Sequence, residues 1–374
     1  MNIAIDSRSL ESPKTGVGRY LSNLLKYWKN EKEHKFTLYF KDKIPENDYI
    51  KSDNFDPKIL KNPFGFSSNL FFQHFLLPYH LKKDDADFFF SPFYLKPIYC
   101  PVKSSIVLHD ISYEAHPEWF DPKSQFILRK MSKLSAGKAS MIFTVSDYTK
   151  QEIMKYYKLD PEKIIVAHLG IDGDFVKITD DAKIEEIKEK YGISDKYILS
   201  VGSFFTRRHI PEIIDAFGKA AVERGDYQLL LVGKNHTYPF ADIKKKIAKV
   251  NENIGRRAII HADFISESEL SVLYSGCEFV VYLSDYEGFG LPVIEAQFFD
   301  KPVITSHNTS LAEVAGDSAE FVLRNTENEI YDSIQKLIID ADYRGKLVLL
   351  GRENLKRFSW RKCAEETLNM VLSI

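Results

Sequence analysis

The sequence predicts an α/β protein of two doubly wound, parallel-sheet domains facing a central cleft, and three observations predict it. The chain has 374 residues, beyond the size at which a single hydrophobic core stops growing, so two domains are the expectation. Short apolar runs alternate with longer helical patterns along the whole length, the signature of βαβ units. Most of those runs are continuous rather than alternating, as strands covered on both faces must be.

Taken in order, the strands of the first half are NIAID, FTLYF, DFFFSP, SSIVLHD, MIFTVSD and IIVAHLG; those of the second half are YILSVG, QLLLVG, AIIHADF, FVVYLS, PVITS and AEFV. The first domain is expected over residues 1–175 and the second over 176–356, with the break in the polar stretch 172–192 that ends in Tyr191-Gly192 before YILSVG. Ligands of doubly wound sheets bind beyond the carboxyl ends of the strands, so function is sought in the loops that follow them.

Composition bounds the rest. A formal net charge of −2 and an ordinary 28% of charged residues offer no global attraction to nucleic acid or anionic lipid. Cys100, Cys277 and Cys363 are odd in number, far apart and without a CxxC, which excludes a disulfide framework and a cysteine zinc site and fits a reducing compartment. MNIAIDSRSL reads as a short strand rather than a signal peptide, and no apolar run is long enough for a membrane span. A cytoplasmic location is expected.

Four strand-end loops carry candidate chemistry. SDYEGFGLPVIEAQ, residues 284–297, has Pro292 suited to the start of a helix, and Gly288 and Gly290 that let backbone approach a ligand. Free N–H groups at that helix start suit a diphosphate. Glu295 is then placed to accept from ribose hydroxyls, as acidic residues do in dinucleotide-binding sheets, while Glu287 faces the cleft. A capped helix with Glu287 as a solvated loop residue accounts for the same residues equally well. In VGSFFTRRHIPEIIDAF, Arg207 and Arg208 are suited to phosphate oxygens, although a solvated basic pair is the commoner meaning of such a doublet. TGVGRY has Gly16 and Gly18 but Leu21 where a dinucleotide fingerprint needs its last small residue, so it reads as a glycine loop reaching a phosphate. VLHDISYEAHPEWF sets His109 and Asp110 at a strand's carboxyl end as candidates for substrate contact, with His116 a loop residue.

Together these loops resemble the retaining GT-B glycosyltransferases of family 4. EGFGLPVIE, residues 287–295, is similar to that family's E-x7-E signature, GSFFTRRH to its strand-end motif, and TGVGRY to its N-terminal glycine loop. IFTVSDYTKQEI, HLGID, LLLVGKN, ISESELSVLYSGCEFVVYLS and SLAEVAGDSAEFV follow its pattern in order. The resemblance implies two Rossmann-like domains, the first for the acceptor and the second for a sugar nucleotide, with a last helix at about 357–374 packing back on the first. It implies Glu295 on ribose and Glu287 near the donor sugar. Backbone around Phe289, Gly290 and Leu291 would meet sugar and phosphate, and Arg207 and Arg208 the diphosphate. Gly16 to Gly18 would approach the phosphates and His109 the sugar hydroxyls. Three positions depart from the pattern: Arg208 stands for a lysine, His209 for an asparagine, and Ser203, still counted as donor-binding, for an arginine.

The activity implied is transfer of a hexose-like sugar, from GDP-mannose or a UDP-sugar, to a glycan or lipid-linked acceptor in cell-surface polysaccharide synthesis. No metal and no cofactor are expected, because the nucleotide sugar is a substrate and arginines with a helix N-terminus stabilise the leaving diphosphate. Asp85-Ala86-Asp87 spells a DxD but precedes a strand, so it reads as a solvated turn. Nucleic acid is not an expected partner, and the oligomeric state is not legible. FGFSSNLFFQHFLLPYHLKK, residues 64–83, reads as a core helix interrupted at Pro78, with peripheral membrane contact as the other reading. The rivals are a sugar-nucleotide hydrolase or epimerase on the same fold and a binding module without turnover; the incomplete glycine fingerprint disfavours a nicotinamide oxidoreductase.

Overall fold

The computed structural model describes residues 1–11, 16–62, 68–171, 175–194 and 196–373. Thr15 of the TGVGRY loop, Asp172 of HLGID and the start of the 64–83 stretch lie outside the described residues.

The chain forms two compact units, one of residues 1–117, 122–170 and 359–374, the other of residues 118–121 and 171–358. The first is built on a seven-stranded sheet in the order β3-β2-β1-β4-β5-β6-β7. Its strands are β1 (Asn2–Asp6), β2 (Lys35–Phe40), β3 (Phe55–Ile59), β4 (Phe88–Ser91), β5 (Lys103–Leu108), β6 (Met141–Thr144) and β7 (Ile164–Val166). The second has a six-stranded sheet in the order β10-β9-β8-β11-β12-β13. Its strands are β8 (Lys196–Val201), β9 (Tyr227–Val232), β10 (Ile259–Ala262), β11 (Phe279–Tyr282), β12 (Val303–Ser306) and β13 (Glu320–Val322). The ladders are parallel throughout both sheets. Apolar runs explain this: every residue of β4 and of β9 is buried, which requires helices on both faces.

Every strand expected from the sequence is present, and one was not expected. FDPKI forms β3, the edge strand beside β2. Its polar alternation and Pro57 disguise it, but an edge tolerates proline. Leu60 N–H donates inward to Phe40 O at 2.9 Å, so by the period of two the ring nitrogen of Pro57 lies on the outer side, where no ladder bond is lost.

The stretch ending at Lys83 corrects a second expectation. Pro78 does not interrupt it. Asn69–Phe71 runs into a π-helical turn, Phe72–Leu76, and on into the helix Leu77–Lys83 with Pro78 in its first turn. The wider turn shifts the register by one residue. Phe72, Leu77 and Leu81 therefore share the core with Phe89 and Tyr39, while Leu70, Phe75 and Tyr79 stay 67%, 65% and 61% exposed. The DxD tripeptide lies at the amino end of β4, where Asp85 takes a left-handed φ of 48° and Asp87 Oδ2 accepts the Asn2 N–H at 2.7 Å. Within the first unit the helix Trp360–Leu372 packs on the helix Gly16–Trp28: Trp28 Nε1 donates to Ala364 O at 2.9 Å, and Tyr20 meets Trp360 edge-on. Among the described residues, no helix is long and apolar enough to cross a membrane.

Strand order reverses between β1 and β4 in one sheet and between β8 and β11 in the other. Those reversals open crevices at the carboxyl ends of the strands, and the loops leaving them are the ones positioned to hold ligands.

Candidate functional site

In the second unit the loops after β8 and β11 straddle the reversal. Directly after β8 comes Gly202, whose φ is 130° and whose N–H donates to Val232 O at 2.9 Å. A Cβ at Gly202 would sit 2.0 Å from Arg208 Nη1, so only glycine lets the Arg208 guanidinium fold back across this turn. There it lies over the Tyr282 ring at 4.7 Å, and Arg207 lies over Phe205 at 4.5 Å, both cation–π distances. The turn Thr206–Arg208 is followed by His209 at φ 52°, which leads into the helix Ile210–Glu223. His209 Nε2 stands 2.8 Å from Asp285 Oδ1.

Both arginines converge on Glu287. Arg208 Nε donates to Glu287 Oε1 at 3.0 Å, and Arg207 Nε stands 3.6 Å from the same oxygen. The three side chains are 9–13% exposed, so neither a solvated basic pair nor a solvated loop carboxylate describes them. Burial alone pushes Glu287 towards protonation, but Arg208 and then Arg207 outweigh it and hold the carboxyl below its ordinary range. The site thus keeps a buried, ionised carboxylate between two guanidiniums.

The loop carrying Glu287 is pinned from beneath. Ser310 Oγ lies 2.8 Å from Glu287 O and 3.1 Å from Phe289 O as donor. Asp285 N–H donates to Arg207 O at 2.9 Å, joining the two loops, and Asp285 Oδ1 accepts from Asn325 Nδ2 at 3.0 Å. Gly290, at φ 99°, starts the helix Leu291–Phe298 with Pro292 in its first turn. A Cβ at Gly290 would lie 2.4 Å from Leu311 Cδ2. Glu295, also buried, accepts from Tyr274 OH at 2.8 Å, and Tyr274 stacks on Phe299 at 5.1 Å. Ser203 lies in the turn after Gly202, and Phe289 is buried against Phe358 at 5.5 Å. The sequence reading missed Tyr282, Tyr274, Asp285, Ser310 and Asn325, because a tyrosine inside an apolar run and a serine in a helix start look like core and cap.

The remaining candidates belong to the first unit. Gly16 and Gly18 form the first turn of the helix Gly16–Trp28 rather than a loop, which corrects the glycine-loop reading for these two positions. A Cβ at Gly16 would meet nothing within 4 Å. His109, beyond the end of β5, has Nε2 at 3.1 Å from Pro92 O and meets the Tyr20 ring edge-on at 5.0 Å. Burial lowers its pKa despite Pro92 O and Asp110, favouring the neutral imidazole. Asp110 Oδ1 accepts from Ser112 N at 3.0 Å and Ser112 Oγ at 2.9 Å.

Two family models match this architecture, Glycosyl transferases group 1 over residues 183–353 and Glycosyltransferase Family 4 over residues 14–175. The chain belongs to the group 1 glycosyltransferases of the family 4 type. O-antigen chain mannosyltransferase B of Escherichia coli is 28% identical over 263 residues, covering 70% of this chain and 68% of the relative. The serotype-specific mannosyltransferase WbdA of Escherichia coli is 27% identical over 271 residues, which span 71% of this chain but 32% of WbdA. Among solved structures, HepE of Anabaena in complex with UDP and glucose superposes with a TM-score of 0.77 at 16% identity, covering 100% of this chain and 99% of HepE. WaaG, a glycosyltransferase involved in lipopolysaccharide biosynthesis, superposes with a TM-score of 0.74 at 16% identity, covering 99% of each chain. At these identities the structures establish the fold, the two Rossmann-like domains of GT-B glycosyltransferases.

The fold gives a physical account of one departure from this glycosyltransferase family's pattern. A left-handed φ is tolerated by asparagine and histidine better than by most residues, so His209 suits the φ of 52° that this position takes. Arg208 differs from a lysine in reaching both a carboxylate and an aromatic face with one planar group.

Proposed function

We propose that the chain is a retaining, metal-independent hexosyltransferase that moves mannose from GDP-mannose, with UDP-sugars as the alternative donors, to a glycan or lipid-linked acceptor in cell-surface polysaccharide assembly. The observation that carries the reading is the convergence of Arg207, Arg208 and the glycine-started helix Leu291–Phe298 on one strand reversal, with ionised Glu287 between the arginines. Donor phosphates suit guanidiniums and free N–H groups, and a carboxylate suits the cationic sugar carbon. The mannosyl specificity is supported by the two E. coli relatives, both mannosyltransferases.

In this reading Glu295 accepts from ribose hydroxyls, and Gly290 and Leu291 offer backbone to the sugar and phosphate. The bond from sugar carbon C1 to the phosphate oxygen breaks and a bond from C1 to the acceptor oxygen forms on the same face. The acceptor's proton passes to the departing phosphate. The proton and the charge are therefore balanced without a protein nucleophile. His109, Asp110, Gly16 and Gly18 are the candidates of this reading in the first unit.

The test is incubation with GDP-mannose or UDP-glucose, with and without a mannoside acceptor, read by NMR at the product's anomeric carbon. An α-linked product that forms in excess chelator is the expected result. A β-linked product removes retention, loss of turnover restored by magnesium removes metal independence, and equal donor breakdown without acceptor favours the hydrolase.

Peripheral association with the inner face of a membrane is part of the same reading. It is supported by the exposed stripe Leu70, Phe75, Tyr79, flanked by the exposed Lys82 and Lys83, an apolar face with a basic margin. Co-sedimentation with anionic vesicles should fall several-fold for Phe75→Ser with Tyr79→Ser. Equal sedimentation of variant and parent removes the stripe from the proposal.

A further inference from the structure

Buried charged side chains in this chain come with partners, with one exception. Arg8 grips Asp6 in a fork, Nε to Oδ1 at 2.9 Å and Nη2 to Oδ2 at 2.6 Å. Glu114 pairs with Arg129 at 2.7 Å, Glu152 with Lys155 at 3.1 Å, and Glu287 with Arg208. Glu295 accepts from Tyr274. Lys96 is the exception. It is 3% exposed and is the only buried lysine or arginine among the described residues. It makes no ion pair with any of them, and its Nζ has one long contact, 3.5 Å to the carbonyl oxygen of the next residue, Pro97. A buried ammonium without an anion is costly.

Two more ammoniums stand beside it. Lys96 lies in the loop between β4 and β5, Lys138 ends the helix Pro122–Lys138, and Lys163 directly precedes β7. All three are therefore at the amino ends of β5, β6 and β7, the opposite end of the strands from the His109–Asp110 loop. Lys138 Nζ donates to Ile98 O at 3.4 Å and Lys163 Nζ to Gly137 O at 3.1 Å, both at the surface. Neither makes an ion pair with a described residue. Burial lowers the pKa of Lys96 against the influence of Cys100, and the charges of Lys138 and Lys163 lower it further. Burial lowers Lys163 as well, with Asp160 acting in the other direction.

Carbonyl capping accounts for part of this cluster, since a helix end carries about half a negative charge. Asp160 supplies one more. Against three ammoniums that leaves roughly one and a half positive charges, the charge of a phosphate monoester near neutrality. A carboxylate carries less charge and offers two oxygens where a phosphate offers three. Ammoniums are point charges that suit phosphate without a fixed geometry.

We propose that Lys96, Lys138 and Lys163 form a binding site for a phosphate group, separate from the donor site. Lys138 and Lys163 donate to its oxygens, and the buried Lys96 adds its charge from beside them. Ile98 and Tyr99 are 41% and 70% exposed on the loop that Lys138 caps. The phosphate of a lipid headgroup is therefore one source and a soluble phosphate the other. The site rests on no part of the glycosyl-transfer reading.

The full chain is melted in sodium phosphate and in sodium chloride of the same ionic strength, beside Lys138→Gln with Lys163→Gln, and Lys96→Met. The difference between proteins is what is read, because salting effects and any binding at Arg207 and Arg208 are common to all three. A ligand that binds only the folded state raises the melting temperature, so phosphate should raise that of the parent by a few degrees more than that of either variant. In chloride, Lys96→Met should melt no lower than the parent, since an apolar chain of similar length replaces an uncompensated charge. Vesicles distinguish the sources. Co-sedimentation with phosphatidic acid in phosphatidylcholine that falls several-fold in the double lysine variant identifies a lipid phosphate. A lost phosphate increment with unchanged sedimentation identifies a soluble one. Phosphate increments and vesicle binding that are both the same in parent and double variant overturn the proposal. So does a Lys96→Met protein that melts several degrees lower in chloride, because the ammonium is then already satisfied within the fold.

Discussion

Glu287→Gln is expected to lower turnover by about two orders of magnitude, the size of a lost electrostatic stabiliser in a water-excluded site. In the proposed mechanism positive charge develops at the sugar carbon only as the bond to phosphate breaks, so this carboxylate acts on the transition state more than on the bound donor. The structure adds a second expected effect. Glu287 is the counter-ion of Arg208 and Arg207, and glutamine keeps an acceptor oxygen but not the charge. Removing one partner of a buried ion pair costs about 3–5 kcal/mol, so the variant should melt several degrees lower. The pH dependence has a definite sign. The folded-state pKa of Glu287 lies below its ordinary value, so its contribution to stability is complete above the ordinary glutamate pKa of about 4.3 and is lost as pH falls towards the folded value. The variant should lack that acid-side loss. Glu295→Gln is the contrast: an interaction with ribose is made equally in substrate and transition state, so the Michaelis constant for donor should rise more than turnover falls. Steady-state kinetics against varied donor, with melts from pH 3 to 7, decide between the roles. If Glu287→Gln loses stability but keeps turnover, the carboxylate is only a counter-ion for the arginines.

The parts of this picture that were legible in the sequence share one property: they are local. A buried parallel strand is a continuous apolar run, so β1, β4, β9 and β11 could be read residue by residue. The helix start at Gly290 and Pro292 announces itself in the same way. The edge strand β3 could not be read, because its partner on one side supplies the reason it forms and its own residues alternate. The π-helical turn was equally silent. Nothing in LFFQHFLLPY marks where a turn widens; only the need to keep Phe72, Leu77 and Leu81 in one core does. The candidate site divides along the same line. Glu287, Arg207 and Arg208 could be named from their positions after strands. Their mutual pairing could not, since about 80 residues of chain separate them and the burial that makes the pair is a property of the folded sheet. A basic doublet is usually solvated, and here Gly202 is what decides otherwise by leaving room for the Arg208 guanidinium. The same holds for the Asp6–Arg8 fork. IDSR reads as a strand running into a turn, and the buried carboxylate of Asp6 becomes a feature only once the neighbouring strands close over it.

Arg207→Ala and Arg208→Ala should not be equivalent, although they are adjacent in sequence. If both guanidiniums hold the donor's diphosphate, each loss should weaken GDP binding by about 1.5–3 kcal/mol, the range for hydrogen bonds to charged groups, and leave guanosine binding nearly unchanged. Their effects on stability should differ. Arg208 donates to Glu287 at 3.0 Å and covers Tyr282. Its removal leaves a buried carboxylate with Arg207 alone at 3.6 Å, so Arg208→Ala should destabilise the protein as well as weaken GDP. The Arg207 Nε makes no hydrogen bond and stands farther from Glu287, at 3.6 Å, so it has less to lose from the fold than Arg208. Arg207→Ala should therefore weaken GDP with a smaller fall in melting temperature than Arg208→Ala. Gly202→Ala provides an independent approach to the same point: its Cβ would displace Arg208 Nη1 from 2.0 Å away, at a φ of 130° that alanine resists. It should reproduce the Arg208→Ala pattern with both arginines still in the sequence. Calorimetric titration of GDP and guanosine, beside thermal melts of the three variants, separates the outcomes. Equal losses for GDP and guanosine would defeat the diphosphate assignment. A Gly202→Ala protein that binds GDP as the parent does would show that the folded-back position of Arg208 is not the one in which it holds the donor.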